Sequence, residues 1–325
     1  MPRRLIFNVE LEEKLAGRPA RLAPRFVRKL ASRFLFLGGA EDVLEGDFEL
    51  PAAFRARFPG LPGVSTRCAR STTRTLEWAR SEPREVVRRV NSKAFAHEVA
   101  KKLGLDPPGS LCSSLADVER EVAQCCEGER WVLKRAFGHG GLGHFLGAGP
   151  SLPPNAPGWI EKALAPGEPI VFEPWVVRDA DYSAVLEIDD VAVPKFVAVT
   201  ELLTSPQGAY LGNRIGSVPA AVTAPVEEIA CRVAGVLASE GYMGPIGIDA
   251  YSSGGALRPL VEINARFTMG RIALEIARRE GRAIASWLTL PGPLALAPEG
   301  PHWKVTDPWP EEPGPATVFL WADSR

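Results

Sequence analysis

The sequence predicts a mixed α and β protein, in which a small α/β unit precedes a larger α+β body. Short apolar runs bounded by glycine or polar residues recur along the chain and are typical of buried strands. Between them lie segments whose apolar residues recur every three or four positions, as in amphipathic helices. Residues 246–267 additionally have the pattern of a β-hairpin.

Bulk composition narrows the classes of protein. The 325 residues are 46% hydrophobic, which is enough to bury a core, and 38 Lys and Arg balance 39 Asp and Glu. A nucleic-acid binder would usually have a basic excess. Apolar runs are too short for a signal peptide or a membrane span. We therefore expect a cytoplasmic protein with no nucleic-acid or membrane partner. Five cysteines without a CxxC pair indicate neither a disulfide framework nor a zinc site.

The first 85 residues are predicted to form the small α/β unit. Two short apolar runs, at residues 5–9 and 34–37, have the character of buried strands. A basic, helix-like stretch lies between them and is interrupted by Pro19 and Pro24. Residues 51–75 carry no clear pattern.

Helices and strands alternate in the rest of the chain. Helices are predicted over residues 92–103, after Ser114, from Thr223 to Gly241 and over 271–280. The predicted strands lie at residues 131–136, 170–177, 182–188 and 191–200, in the hairpin, and at 317–322 near the end of the chain.

An acidic pair in the hairpin is the strongest functional signal. If the turn centres on Gly255 and Ala256, then Asp249 and Glu262, thirteen residues apart, lie directly opposite each other. Asn264 shares their face because side chains alternate along a strand. Three hard oxygen donors suit Mg²⁺ or Mn²⁺. The alternative from the hairpin alone is a strand that is polar because it faces solvent.

A glycine-rich loop follows the strand that ends near Lys134. Glycines allow backbone N–H groups to approach a phosphate closely, and a lysine adds positive charge. The pattern is not a P-loop, because it does not match GxxxxGK(S/T). It is not a good dinucleotide fingerprint either, because no long helix follows it. A flexible hairpin tip is the alternative. His139 and His144 are interpreted as loop or phosphate contacts, and the glycines are Gly138, Gly140, Gly141 and Gly143.

The strand at residues 170–177 could flank a purine. Glu173, Pro174, Trp175 and Val176 end this strand, and Asp181 follows, where a carboxylate could accept hydrogen bonds from ribose hydroxyls. The alternative is that Trp175 belongs to the core.

Together, in this order, these segments resemble the ATP-grasp superfamily. The resemblance is carried by NSK at 91–93, VLKRAFGHGGLG at 132–143, VFEPWV at 171–176, and GPIGIDAY with LVEINARFTMG within 244–270. It implies an ATP-grasp fold, in which two α+β lobes clamp ATP. The implied divisions are a pre-ATP-grasp domain at 1–88, a first lobe at 89–176, a second lobe at 177–290, and a Pro-rich segment at 291–325.

The resemblance also implies roles for individual residues. The implied contacts of ATP are Lys93, Lys134, Gly138, His139, Gly140, Gly141, Gly143, Glu173, Pro174, Trp175, Val176 and Asp181. Asp181 stands where the family often has Glu. The implied ligands of Mg²⁺ or Mn²⁺ are Asp249, Glu262 and Asn264. The implied catalytic cations are Arg266, Lys195 and Arg214.

The activity implied by the resemblance is ADP-forming ligation of a small-molecule carboxylate to an amine through an acyl phosphate. An amino acid or a small peptide is the expected substrate, and a homodimer is compatible with the family. An ATP-grasp phosphotransferase, an acid–thiol ligase and a non-catalytic ATP-binding regulator are the alternatives. The substrates themselves have no recognisable fingerprint in the sequence.

Overall fold

The computed structural model describes residues 2–19, 22–66, 74–107, 109–138, 143–206, 208–294 and 298–322. Within them the chain forms three β-sheets with helices packed on their faces, so the predicted mixed class is confirmed. The helices of this part of the chain are α1 (Leu11–Leu15), α2 (Pro24–Phe34), α3 (Ala52–Arg57), α4 (Arg84–Val90), α5 (Lys93–Lys102), α6 (Leu115–Val122), α7 (Ala156–Leu164), α8 (Ala220–Ser239) and α9 (Met269–Arg279).

The first sheet is parallel and belongs to the N-terminal unit. Its order is β3-β2-β1-β4, from β1 (Arg3–Ile6), β2 (Val43–Glu45), β3 (Gly63–Ser65) and β4 (Arg74–Glu77). The predicted strand at 34–37 is wrong: these residues end α2 and form a 3-10 turn. A short apolar run is buried equally well in either conformation, so its pattern could not decide. Pro24 begins α2 rather than breaking it, because the first helical turn tolerates proline.

The second sheet is antiparallel, with order β5-β8-β6-β7. Its strands are β5 (Ser110–Cys112), β6 (Arg130–Lys134), β7 (Phe145–Ala148) and β8 (Ile170–Pro174). Helices α6 and α7 cover one face, where Trp131, Val118 and Ile160 are buried in one cluster. As predicted, α6 follows Ser114, whose hydroxyl accepts a hydrogen bond from the Asp117 N–H at 3.1 Å.

The third sheet has nine strands and forms the body of the molecule. Its order is β13-β12-β9-β10-β11-β14-β17-β16-β15. The strands are β9 (Ala180–Ile188), β10 (Pro194–Thr204), β11 (Tyr210–Ile215), β12 (Gly244–Ser253), β13 (Ala256–Asn264), β14 (Ala285–Leu290), β15 (Glu299–Gly300), β16 (Trp303–Val305) and β17 (Ala316–Trp321). The predicted hairpins and the predicted C-terminal strand are therefore present.

Helix α8 covers one face of this sheet together with α5. Ile229, Val233 and Leu237 of α8 are buried against the strands. The predicted start at Thr223 is wrong, because the helix begins at Ala220 after Pro219. Pro225 thus lies inside the helix, where the long buried face outweighs the backbone hydrogen bond that proline removes.

A second core joins the N-terminal unit to the nine-stranded sheet. Phe34 lies 5.8 Å from Trp78 and 5.7 Å from Phe267, measured between ring centroids. Trp287 and Phe319, from β14 and β17, are buried in the same cluster. The N-terminal unit is therefore held directly against the end of β13. The four predicted domain divisions stay a prediction.

The cap of α6 gives a test of the local structure. Ser114→Ala removes the acceptor for the Asp117 N–H, so we expect the free energy of unfolding to fall by about 0.5–2 kcal/mol. Ser113→Ala is the matched control, because the Ser113 backbone N–H, and not its hydroxyl, donates to Asp117. Urea titration of both variants measures the difference. Equal stability losses would contradict the cap.

Candidate functional site

The predicted opposition of Asp249 and Glu262 is confirmed. The two residues are direct partners across β12 and β13. The turn, however, is at Gly254 and Gly255, with φ of 56° and 78°, and not at Gly255 and Ala256. Two consecutive residues with positive φ are typical of a tight hairpin turn.

A β-bulge restores the register that the predicted turn assumed. With the turn one residue earlier, uninterrupted pairing would place Asp249 opposite Leu260. The register instead shifts between Asp249 and Tyr251. Pro259 lies in the extra stretch, where its missing N–H costs no ladder hydrogen bond. The bulge therefore carries Glu262 to its position opposite Asp249.

Asp249 is enclosed by polar partners. The Ser183 hydroxyl donates to its Oδ1 at 2.8 Å, and the Asn264 Nδ2 donates to its Oδ2 at 2.9 Å. Burial, and secondly the negative charge of Glu262, raise the pKa of Asp249 to about 6. Two facing carboxylates in such surroundings are costly when both are ionised, unless cations lie against them.

Lys93 supplies one such cation from the other lobe. It begins α5, and its Nζ donates to the Gly138 carbonyl oxygen at 3.2 Å and forms an ion pair with Glu262. The Lys93 N–H also donates to the Ala136 carbonyl oxygen at 2.9 Å, which ties the start of α5 to the segment after β6. Lys93 therefore connects the segment at Gly138 with the acidic hairpin.

Lys134 lies beside this pair, at the end of β6. Its Nζ is 2.5 Å from Oε2 of Glu173 on the neighbouring strand β8, and both side chains are buried. Two lysines and two glutamates thus line a small space between α5, β6, β8 and β13.

Arg266 adds a guanidinium to the acidic face. Its Nη2 donates to Asn264 Oδ1 at 2.7 Å and its Nη1 to the Phe267 carbonyl oxygen at 3.4 Å. The Asn264 amide therefore bridges Arg266 and Asp249. Its oxygen keeps a second lone pair that could face a cation.

The strand end predicted to flank a purine lies outside the core clusters. The Trp175 N–H donates to the Arg130 carbonyl oxygen at 2.8 Å, and the Arg130 guanidinium lies over the Trp175 ring at 4.5 Å. Pro174 and Val176 are exposed on either side. A strand end with an exposed peptide edge and a part-buried indole can receive a flat heterocycle.

Asp181 lies near this strand end, on β9. It accepts hydrogen bonds from Arg178 Nη1 at 2.6 Å and from the Thr204 hydroxyl at 3.0 Å. Its carboxylate is thus held facing the same cleft as Trp175 and Val176.

The glycine loop is described in part. Gly138 and Gly143 have φ of 156° and 78°, whereas the predicted contacts His139, Gly140 and Gly141 lie outside the described residues. His144 lines the cleft. Burial, together with the positive charges of Lys134 and Lys93, lowers its pKa to about 4, so the imidazole is neutral at pH 7.

One large cavity connects these groups. Its volume is about 910 Å³, and it lies between the second sheet, the hairpin face of the third sheet and helix α2. The predicted site residues that line it are Lys134, Glu173, Pro174, Trp175, Val176, Asp181, Asp249, Glu262, Asn264 and Arg266. Lys93 lines the adjoining small space with Lys134 and Glu262.

The structure does not bring Lys195 to this cavity. Lys195 is opposite Glu187, four residues along β9 from Ser183, or about 13 Å at the spacing of a strand. Its side chain is 65% exposed and pairs with Asp189 at 2.9 Å. Its charge serves the hairpin between β9 and β10.

Arg214 lies on the opposite face of the sheet. The preceding residue, Asn213, is buried and donates to the Thr200 hydroxyl at 3.0 Å, on the face that carries Ser183. Because successive side chains alternate, Arg214 faces away, where it forms an ion pair with Glu201 at 2.8 Å. The resemblance implied a catalytic role for Arg214, but the sequence did not reveal on which face of the sheet it lies.

Several residues of the cavity had no signal in the sequence. Ser183 holds Asp249, yet only the pairing of β9 with β12 brings them together. The alternation of β9 places Ser183 on a polar face but does not identify its partner. Arg33 and Tyr210 also line the cavity, from segments that carried no motif.

Comparisons with known proteins place the fold. No protein-family profile matches the sequence, and no curated protein matches it. Solved structures do match. A Campylobacter jejuni biotin carboxylase is 12% identical over 100% of this chain and 88% of its own, with a TM-score of 0.59. A Staphylococcus aureus N5-carboxyaminoimidazole synthetase complexed with ADP is 11% identical over 99% of this chain and 94% of its own, also with a TM-score of 0.59.

A third solved structure agrees. The biotin carboxylase domain of Hydrogenobacter thermophilus 2-oxoglutarate carboxylase is 13% identical over 99% of this chain and 86% of its own, with a TM-score of 0.57. At such identities the likeness shows the fold, and the predicted ATP-grasp fold is confirmed. Among the described residues, no helix has the length and apolar character needed to span a bilayer.

The raised pKa of Asp249 gives a prediction for stability. Its carboxyl is protonated in the folded chain up to about pH 6 but ionises near pH 4 when unfolded, so stability is lost as the pH rises between these values. Asp249→Asn removes this penalty. Without added metal, we expect the variant to gain about 1–2 kcal/mol over the wild type above pH 6 and nothing at pH 4.

Thermal unfolding of wild type and Asp249→Asn, measured from pH 4 to pH 8 in a chelator, tests this. Asp179→Asn is the control, because Asp179 is exposed and lies outside the cavity lining. A variant that is less stable than wild type at pH 8 would contradict the cost assigned to the ionised carboxylate.

Proposed function

We propose that this chain is an ATP- and Mg²⁺-dependent, ADP-forming ligase that joins a carboxylate to an amine. The observation that carries the proposal is the convergence of Lys93 and Lys134 from one lobe with Asp249, Glu262 and Arg266 from the other. Phosphoryl transfer depends on positioning and on neutralising the charge of phosphate oxygens, and these residues supply both signs of charge at one place.

The nucleotide would lie across the two lobes. Its adenine would meet the exposed strand end at Pro174 and Val176, with Trp175 beside it, and its ribose hydroxyls would donate to Asp181. Lys93 and Lys134 would then face the phosphates. Both lysines already pair with glutamates, so phosphate oxygens would replace or share these partners.

The residues present fit a divalent cation. Asp249, Glu262 and Asn264 offer carboxylate and amide oxygens, the donors that Mg²⁺ prefers, and they leave positions for water and phosphate oxygens. Burial, and secondly the charge of Glu262, raise the pKa of Asp249, and a bound cation would stabilise its ionised form. Bound there, Mg²⁺ or Mn²⁺ would neutralise charge on the β- and γ-phosphates.

The reaction proceeds in two steps. A carboxylate oxygen of the substrate attacks the γ-phosphorus, the bond to the bridging oxygen breaks, and ADP leaves. The nitrogen of an amine then attacks the carbonyl carbon of the acyl phosphate, loses a proton, and displaces phosphate. Arg266, held by Asn264, is placed to stabilise the oxyanion of this second step.

An amino acid or a small peptide is the predicted carboxylate. The structural neighbours favour bicarbonate as a second candidate acid, because their names are those of carboxylases and one contains bicarbonate. Lys195 and Arg214 have no part in this scheme, since both lie away from the cavity. A homodimer and a cytoplasmic location stay predictions.

The products of the reaction test the proposed chemistry. Purified protein with ATP, Mg²⁺, amino acids or bicarbonate, and an amine panel should release ADP and phosphate only when an acid and an amine are both present. Release of AMP and pyrophosphate would contradict the acyl phosphate. Transfer of ¹⁸O from the labelled acid to phosphate gives an independent check, because the acid oxygen leaves with the phosphate.

Glu262→Gln tests the metal site. We expect turnover to fall by about 10²–10³-fold, because one charged oxygen ligand and the partner of Lys93 are lost together. The matched control is Glu201→Gln, which lies on the far face of the sheet and pairs with Arg214. Steady-state ADP release measures both. Turnover of Glu262→Gln within about twofold of the control would remove Glu262 from the site.

A further inference from the structure

Helix α2, which lines the cavity, carries two buried cations that share one buried carboxylate. Lys29 and Arg33 are 4% and 5% exposed, and Asp307 is 4% exposed. Asp307 lies 3.4 Å from the Lys29 Nζ and receives the Trp309 N–H at 2.8 Å. One carboxylate therefore serves two buried cations.

Arg33 is the cation left over. Within the described chain it forms no salt bridge, and its Nε has no hydrogen-bond partner. Asp307 is the carboxylate whose charge acts on it, and that group already pairs with Lys29. Burial lowers the pKa of Arg33, yet a guanidinium stays protonated at neutral pH. The guanidinium carbon lies 5.8 Å from the centroid of the Trp287 ring, but no carboxylate of the described residues forms a salt bridge with it. A buried arginine without a salt-bridge partner is costly, and such groups are typical of binding sites.

The Arg33 side chain lines the same 910 Å³ cavity as Arg266. The wall around it is apolar and comes from both the N-terminal unit and the body of the protein. The lining residues there are Val9, Leu22, Phe26, Leu30, Trp78 and Met269. Among the described residues of this wall there is no second unpaired cation, because Arg28 is engaged by Glu312 at 2.5 Å.

We propose that Arg33 binds a carboxylate of the ligase substrate, and that the apolar wall beside it receives a hydrophobic or aromatic body attached to that carboxylate. The identification of this ligand as a substrate rests on the proposed function, but the binding site itself does not depend on that function. One guanidinium in an apolar wall matches a single negative charge, whereas a phosphate dianion would require more than one unpaired cation.

The site also has a fixed relation to the acidic hairpin. Phe34, next to Arg33, packs on Phe267, which is next to Arg266, with their ring centroids 5.7 Å apart. The Phe267 N–H is further held by the Trp78 carbonyl oxygen at 2.8 Å. An acid held by Arg33 is therefore held by the same rigid core that positions Arg266.

The test compares two probes that differ only in charge. Binding of 3-phenylpropionate and of its neutral amide, 3-phenylpropanamide, is measured by calorimetry on the whole chain without nucleotide. We expect the acid to bind at least about tenfold more tightly than the amide. Acetate, which lacks the apolar body, should bind at least about tenfold more weakly than 3-phenylpropionate.

Variants assign the preference to Arg33. Arg33→Met should abolish the discrimination between acid and amide, while Arg28→Met, on the same helix but paired with Glu312, should retain it. Thermal unfolding should show Arg33→Met to be at least as stable as wild type, because an unpaired buried charge is removed. If Arg33 instead has a structural role, Arg33→Met would be less stable than wild type, and the preference of the wild type for the acid would have no explanation.

Several results would overturn the proposal. They are equal binding of acid and amide to the wild type, no binding of either probe, or competition by inorganic phosphate that is stronger than that of the acid. Because these measurements omit ATP, they stand even if the product assay shows that the proposed ligase function is wrong. Conversely, if the wild type releases ADP but binds the acid no more tightly than the amide, the proposed ligase function would stand and the proposed Arg33 site would be wrong.

Discussion

Two carboxylates face each other across neighbouring strands, and this opposition constrains the rest of the site. Asp249 and Glu262 cannot both be ionised cheaply in part-buried surroundings, which is why burial and mutual repulsion raise the pKa of Asp249 to about 6. Cations lie against this pair on both sides. Lys93, at the start of α5, forms an ion pair with Glu262, and Arg266 donates a hydrogen bond to Asn264, which in turn contacts Asp249. Ion pairs therefore connect the two sides of the cleft. A bound divalent cation would neutralise the negative charge of the two carboxylates that Lys93 neutralises in part.

Much of this arrangement could be predicted from the sequence, because it depends on local periodicity. Strand alternation and a spacing of thirteen residues were sufficient to place Asp249 opposite Glu262. The turn was predicted one residue late, and a bulge that includes Pro259 compensates. The register was thus predicted correctly from a slightly wrong turn, because the β-bulge restores the pairing of Asp249 with Glu262.

What could not be predicted depends on contacts between segments distant in the chain. Strand order and the packing of the N-terminal unit determine three such features. They are the face on which Arg214 lies, the distance of Lys195 from Ser183, and the presence of Arg33 in the cavity. The strand predicted at residues 34–37 was wrong for a different reason, since a short apolar run fits a helix end as well as a strand. The partial charge balance around Lys29, Arg33 and Asp307 likewise exists only in the folded chain.

The most direct measurement is the position of a metal in the folded protein. A crystal grown with Mn²⁺ and a non-hydrolysable ATP analogue would locate the ion by its anomalous signal. The account predicts Mn²⁺ within about 2.0–2.3 Å of a carboxylate oxygen of both Asp249 and Glu262, bridged to the phosphates, with Lys93 released from Glu262. Nucleotide bound between the lobes with no ion between these two carboxylates would contradict it.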